Sequence, residues 1–262
     1  MADQPSEIRT RMHLVLERVK VYGPSDSTRD IGRELANVVN ATLPGSDENE
    51  AGGKLWEVID IVLEHASLDT TKIDVFVYTF QHLFTNLSDQ IQDSAWADGE
   101  TNEIPRGANL AFKLLGMELR ECVNGVDSFM PAEFRSRPGH NPVVGDDHDT
   151  ATFVRWVLAT DTARKKLVNV HHLIGRLWAL DVMDTSHLTE MLLESYCNIN
   201  SDLGTDKELE IESACALIRA AGGKGKLETK PKFDAHLGIL EKLLRSSKTS
   251  FYLKAVIAVC TL

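Results

Sequence analysis

The sequence predicts an all-α protein, a helical-repeat solenoid of about five antiparallel helix pairs, and three observations predict it. Apolar residues recur at helical spacing along almost the whole chain, with no convincing strand. Glycine and proline clusters cut the periodic stretches at regular intervals. The connections are mostly short, so each helix folds back beside its predecessor. A solenoid suits such pairs better than a closed bundle, because each pair buries its stripe on its neighbours without long crossovers.

The elements follow in order, with boundaries good to a few residues. A first helix over 6–20 ends at Gly23-Pro24-Ser25, and a second over 27–42 ends at Pro44-Gly45-Ser46. The third, over 54–66, has the clearest stripe: Leu55, Val58, Ile59, Val62, Leu63 and Ala66 share one face. Ile73, Phe76, Val77, Phe80, Leu83, Phe84 and Leu87 repeat it over 72–92, so these two form an antiparallel hairpin. Helices over 106–123 and 149–180 flank an irregular loop at about 124–149, which holds Pro131, Pro138, Pro142 and the acidic run GDDHD. Helices over 186–198 and 206–221 follow, the latter closed by Gly222-Gly223. The residues around Pro231 set off a helix over 232–245, and a last one covers 248–260.

At 262 residues, 43% hydrophobic and 26% charged, the chain has ample material for a core and is read as one solenoid spanning 1–262. No apolar run approaches the roughly 20 residues that cross a bilayer, and the amino terminus is polar, so neither a membrane span nor a signal peptide is expected. Cys122, Cys197, Cys215 and Cys260 form no CxxC pair, which points to a reduced, cytoplasmic setting. The net charge of -11 opposes general nucleic-acid binding. Yet between Cys215 and Lys254 nine basic residues stand against three acidic ones, so this end is locally basic.

Residues with chemical potential read mostly as structure. GGKGK (222–226) lacks the spacing of a phosphate loop and follows a helix, as a helix-ending turn with solvated lysines does. His171 and His172 point about 100° apart on a helix, with no ligand set at metal spacing beside them or His187. GDDHD fits no calcium loop, and no GxSxG nucleophile elbow occurs. No cofactor, metal, catalytic residue or small-molecule substrate is therefore expected. Leu83 and Phe84 in YTFQHLF fall on a core stripe. Gly175, inside a helix, marks a close approach of another helix. Trp56, off the main stripe, is either packing or a surface anchor.

Four stretches carry a resemblance: RTRMHLVLERVK (9–20), KLWEVIDIVLEHA (54–66), ARKKLVNVHHLIGRLWALDVMDT (163–185) and KPKFDAHLGILEKLLRSSKTS (230–250). In this order they resemble the middle domain of eukaryotic translation initiation factor 4 gamma, a HEAT-type solenoid of five pairs. The chain departs from that family after Ser250, where Phe251-Tyr252-Leu253-Lys254-Ala255 replaces a more basic run. The resemblance implies a non-catalytic scaffold or regulator of translation initiation that binds a DEAD-box RNA helicase, bridging its two lobes, and RNA as well. Charge then suggests the contact residues: Asp47, Glu48, Glu50 and Lys54 for one lobe, and Lys230, Lys232, Arg245, Lys248 and Lys254 for the other, with Lys224 and Lys226 toward RNA. An adaptor of related fold in mRNA decay, splicing or deadenylation is the alternative.

Overall fold

A computed structural model describes residues 7–17, 26–41, 48–99, 101–124, 126–134, 150–196, 205–222, 231–246 and 249–261. The described residues form ten α-helices and no strand: α1 (Glu7–Glu17), α2 (Asp26–Asn40), α3 (Glu48–Leu68), α4 (Ile73–Thr85), α5 (Gly107–Cys122), α6 (Thr150–Ala179), α7 (Ser186–Tyr196), α8 (Thr205–Ala220), α9 (Pro231–Arg245) and α10 (Phe251–Thr261). Their number and order match the periodicity of the sequence. The loop predicted at 124–149 contains short 3-10 turns at Val126–Phe129 and Ala132–Phe134, and GDDHD lies outside the described residues.

The differences at helix ends have local causes. α3 begins at Glu48, ahead of the predicted start, and runs straight through Gly52-Gly53. A Cβ at Gly52 would lie 2.5 Å from the Asp93 side chain, so the glycine lets this turn press against the 90s segment. A Glu50–Lys54 ion pair at 2.9 Å braces the same turn. α4 stops at Thr85 although Leu87 and Ile91 continue its stripe. Asn40, the last residue of α2, draws the chain out of helix: its amide donates to the Asn86 carbonyl at 2.9 Å and its oxygen accepts from the Ser88 N–H at 2.9 Å. Leu87 and Ile91 stay buried within the turns that follow. α10 starts after Ser250, whose hydroxyl accepts from the Leu253 N–H at 3.3 Å as an N-cap.

The helices fall into two compact units. The first comprises residues 1–118 with 176–184, and the second 119–175 with 185–262. In the first, α1 contacts α2, α3 contacts α4, α1 lies on α3 and α2 on α4. In the second, α7 contacts α8, α9 contacts α10, α7 meets α9 and α8 meets α10. The stripes read from the sequence are the cores. Leu55, Val58, Ile59, Val62, Phe80 and Leu83 are wholly excluded from solvent in the first unit, as are Leu173, Ile211, Leu217, Leu240 and Ile257 in the second. Each such side chain contributes roughly 1.5–3 kcal/mol of transfer free energy. Phe84 meets Phe112 edge-on, with centroids 5.0 Å apart, which ties α4 to α5.

α6 ends in a Schellman motif. Val182 N–H donates to the Leu177 carbonyl at 3.0 Å and Asp181 N–H to that of Trp178 at 3.1 Å, with Asp181 in the left-handed region at φ 53°. An aspartate is strained there and a glycine is not. Asp181→Gly is therefore expected to raise stability by about 0.5–1 kcal/mol, seen as a higher urea midpoint. A lower midpoint would mean that the carboxylate itself holds the turn.

Candidate partner-binding surfaces

The residues that charge alone suggested for the two contacts divide between the two units. In the first, the outer stripe of α3 runs through Glu50, Gly53, Lys54, Glu57, Asp60 and Glu64, opposite its buried stripe. Arg9 reaches it from α1, bonding Glu64 at 2.8 Å and Asp60 at 3.4 Å. Four carboxylates against two cations leave the stripe acidic. Of the residues suggested for this end, Asp47 lies outside the described residues. Glu48 opens α3, Glu50 is exposed, and Lys54 is paired with Glu50. Trp56 is 43% exposed, and its indole N–H donates to the carboxylate of Glu118 on α5. It is thus both a helix tie and a partly open aromatic surface.

In the second unit the surface centres on α9 and α10. Arg245 is exposed and Lys254 half-buried, while Lys232 lies in the first turn of α9. Lys224, Lys226, Lys230 and Lys248 lie outside the described residues. The structure adds an apolar component. Leu253, Ile257 and Cys260 face inward, while Phe251, Ala255 and Val259 form a second stripe facing out. Phe251 is 89% exposed. Beside it Tyr252 donates its phenolic proton to Glu212 on α8 at 2.6 Å, and that bond, with partial burial, pushes its pKa up to about 12. The ring stays neutral and fixed against α8. Sequence spacing did not distinguish these faces because α10 is apolar on both.

A second uncovered apolar stretch opens α6. No residue from Thr150 to Thr162 is buried, and Phe153, Val154, Val157 and Leu158 are exposed, with Phe153 stacked on Trp156. Ala163 is the first buried position, and from there the helix packs as its stripe predicts.

The second unit also contains a buried polar pair. His171 is fully buried; its Nδ1–H donates to the Leu167 carbonyl at 2.8 Å, which leaves Nε2 to accept the Tyr196 phenolic proton at 2.8 Å. Burial lowers the histidine pKa to about 4 and raises that of Tyr196. Both are neutral near pH 7, a satisfied structural pair. Leu173, Ile174 and Leu177 are buried and Trp178 half-buried, and Gly175 does meet a neighbouring helix, at Leu217–Ala221. Among the described residues no three histidine, cysteine or acidic side chains converge as a metal site, and no helix is long and apolar enough to cross a membrane.

No protein-family model matches the chain, and no curated protein matches it.

Proposed function

We propose that this chain is a non-catalytic cytoplasmic scaffold or regulator of translation initiation, of the initiation-factor-4-gamma middle-domain type, that docks a DEAD-box RNA helicase. Two observations support this reading. Within each unit, first helices lie on first helices and second on second, the contact order expected where successive hairpins of a HEAT-type solenoid stack. The four sequence stretches that resemble the family fall on α1, α3, α6 and α9, with the last reaching the cap of α10.

The observation that carries the docking reading is the outward stripe of α10. A partner that covers Phe251, Tyr252 and Val259 gains apolar burial, and the rigid aromatic rings are the kind that dominate binding energy. Arg245 and Lys254 at its margin steer an acidic partner surface into register. The acidic stripe of α3 offers the opposite sign for a second contact.

The test is the RNA-stimulated ATPase rate of the cytosolic initiation helicase, with and without this chain, at two salt concentrations. The expected result is a salt-sensitive stimulation. Arg245→Glu with Lys254→Glu should weaken helicase binding about tenfold, mainly through slower association, because charges at the margin act on encounter. Phe251→Ala should weaken it by a similar factor through faster dissociation. If the helicase neither binds nor responds, this reading fails and an adaptor role in mRNA decay, splicing or deadenylation takes its place.

A further inference from the structure

In the first unit α2 lies against α4, and Gly32 sits where the two helices touch. A Cβ there would fall 2.5 Å from the His82 Cβ and 2.9 Å from both the Leu83 nitrogen and the Thr79 carbonyl oxygen. The glycine thus seats the half-buried His82 side chain at the crossing itself. Arg29 and Arg33 stand on α2 to either side of Gly32, on one exposed face and one helical turn apart, roughly 6 Å along the axis.

In a chain of net charge -11 this crossing is electropositive. Both arginines are exposed, and neither forms an ion pair among the described residues, whereas Arg9, Lys54 and Arg176 of the same unit each have a carboxylate partner. Like charges at this spacing disfavour a helix, so the pair gains α2 nothing. The His82 ring feels both charges: partial burial, then Arg29 and Arg33, hold its pKa below the ordinary value, and no carboxylate acts against them. Two guanidiniums without counter-charges, both acting on one imidazole, call for an anion from outside the chain.

The neighbouring positions narrow down which anion. The next residue on this face of α2 is Asn37, and Gln81 and Thr85 stand beside His82 on α4; all three are exposed and uncharged, and Asp30 is exposed next to Arg29. A nucleic-acid backbone needs a run of cations, and this row ends after two. A carboxylate is satisfied by one guanidinium fork, which leaves the second charge unused. A phosphomonoester carries a charge of about -1.5 to -2 and three acceptor oxygens, enough for both forks and for a ring N–H of His82. We infer that Arg29, Arg33 and His82 form a recognition site for a phosphomonoester dianion, the group carried by phosphorylated serine or threonine and by free phosphate compounds. This goes beyond the helicase reading and does not depend on it, since the site shares no residue with the α3 or α10 stripes.

The test uses the full chain with isotope-labelled histidine, the His82 ring signal being identified by its loss in His82→Gln. The probes are the peptide N-acetyl-Ala-phosphoserine-Ala-amide, its glutamate counterpart, inorganic phosphate and oligouridylate RNA. The expected result is a saturable shift of the His82 resonance by the phosphopeptide at pH 7, with the glutamate peptide at least about tenfold weaker. With the phosphopeptide bound, titration of that resonance should move to higher pH, because the dianion offsets the two guanidiniums. Arg29→Ala and Arg33→Ala should each weaken binding about tenfold without lowering the urea midpoint, whereas Arg155→Ala, exposed on α6 in the second unit, should leave it unchanged. Saturation by the phosphopeptide at a lower concentration than by inorganic phosphate identifies a phosphorylated protein as the source, and the reverse order a free phosphate compound; either supports the dianion site. An unmoved His82 signal, equal binding of the glutamate peptide, tighter binding of the RNA than of the phosphopeptide, or an equal loss in Arg155→Ala would each overturn the proposal.

Discussion

Gly175→Ala is expected to destabilise the protein by about 2 kcal/mol, and Gly175→Val by more, even though alanine is the better helix former. The added Cβ would fall against the Leu217 carbonyl, 2.7 Å from the Ala220 Cβ and 3.0 Å from the Ala221 nitrogen. Two of these three neighbours are backbone atoms joined in one hydrogen bond, Ala221 N–H to Leu217 O at 2.9 Å, so no flexible side chain can yield. α6 and α8 must separate or the last turn of α8 must unwind. Gly238 on α9 provides the control: nothing lies within 4 Å of its Cβ position. Gly238→Ala should therefore gain about 1 kcal/mol from helix propensity. Urea midpoints of the two variants should move in opposite directions, and two shifts of the same sign would rule out close helix approach as the reason for Gly175.

The second large effect is one of pH. The folded state holds His171 neutral down to about pH 4, whereas in the unfolded chain the ring takes up a proton near 6.5. Between those values the unfolded state binds more protons, so stability rises with pH across the window. The contribution is present in full above pH 6.5 and is lost as the solution is acidified toward pH 4. It amounts to roughly 3 kcal/mol, of which about 2 kcal/mol is gone by pH 5. Urea unfolding at pH 7 and pH 5 measures this directly. His171→Gln, neutral throughout, should lack that part of the slope even if it is less stable at pH 7. An identical slope in the variant would assign the acid sensitivity to other groups. The Tyr196 hydroxyl takes part as the donor to Nε2, since a protonated ring carries an N–H at that position and no lone pair to receive the phenolic proton.

The sequence made the helices legible because burial imposes a period on the apolar residues. It did less well where local side-chain bonds compete with the helix. Nothing in the spacing of Leu87 and Ile91 reveals that Asn40, more than forty residues earlier, takes over the backbone groups of Asn86 and Ser88. The helix predicted over 54–66 starts earlier, at Glu48, and Gly52 within that added turn lets it press against Asp93. The charged candidates were legible as composition but not as surfaces. Lys54 turns out to be committed to Glu50, and the apolar stripe of Phe251, Ala255 and Val259 was hidden by an equally apolar inner face. A cavity beside Tyr196 had no signal at all, because its walls come from four segments of chain.

The first unit is not contiguous in the chain. It closes only with residues 176–184, which bring the buried side chains Leu177 and Val182 and the guanidinium of Arg176, bonded to both carboxylate oxygens of Asp74 at 2.6 and 2.8 Å. On a ribosome adding about 5–20 residues each second, α1 to α4 therefore emerge and wait several seconds for the piece that completes them. Over that interval their apolar faces are only partly covered, and the nascent chain depends on its own local hairpins, or on a chaperone, to stay unaggregated. Biosynthesis thus imposes an order of events that the finished molecule no longer displays: the end of α6 must arrive before the first unit is done.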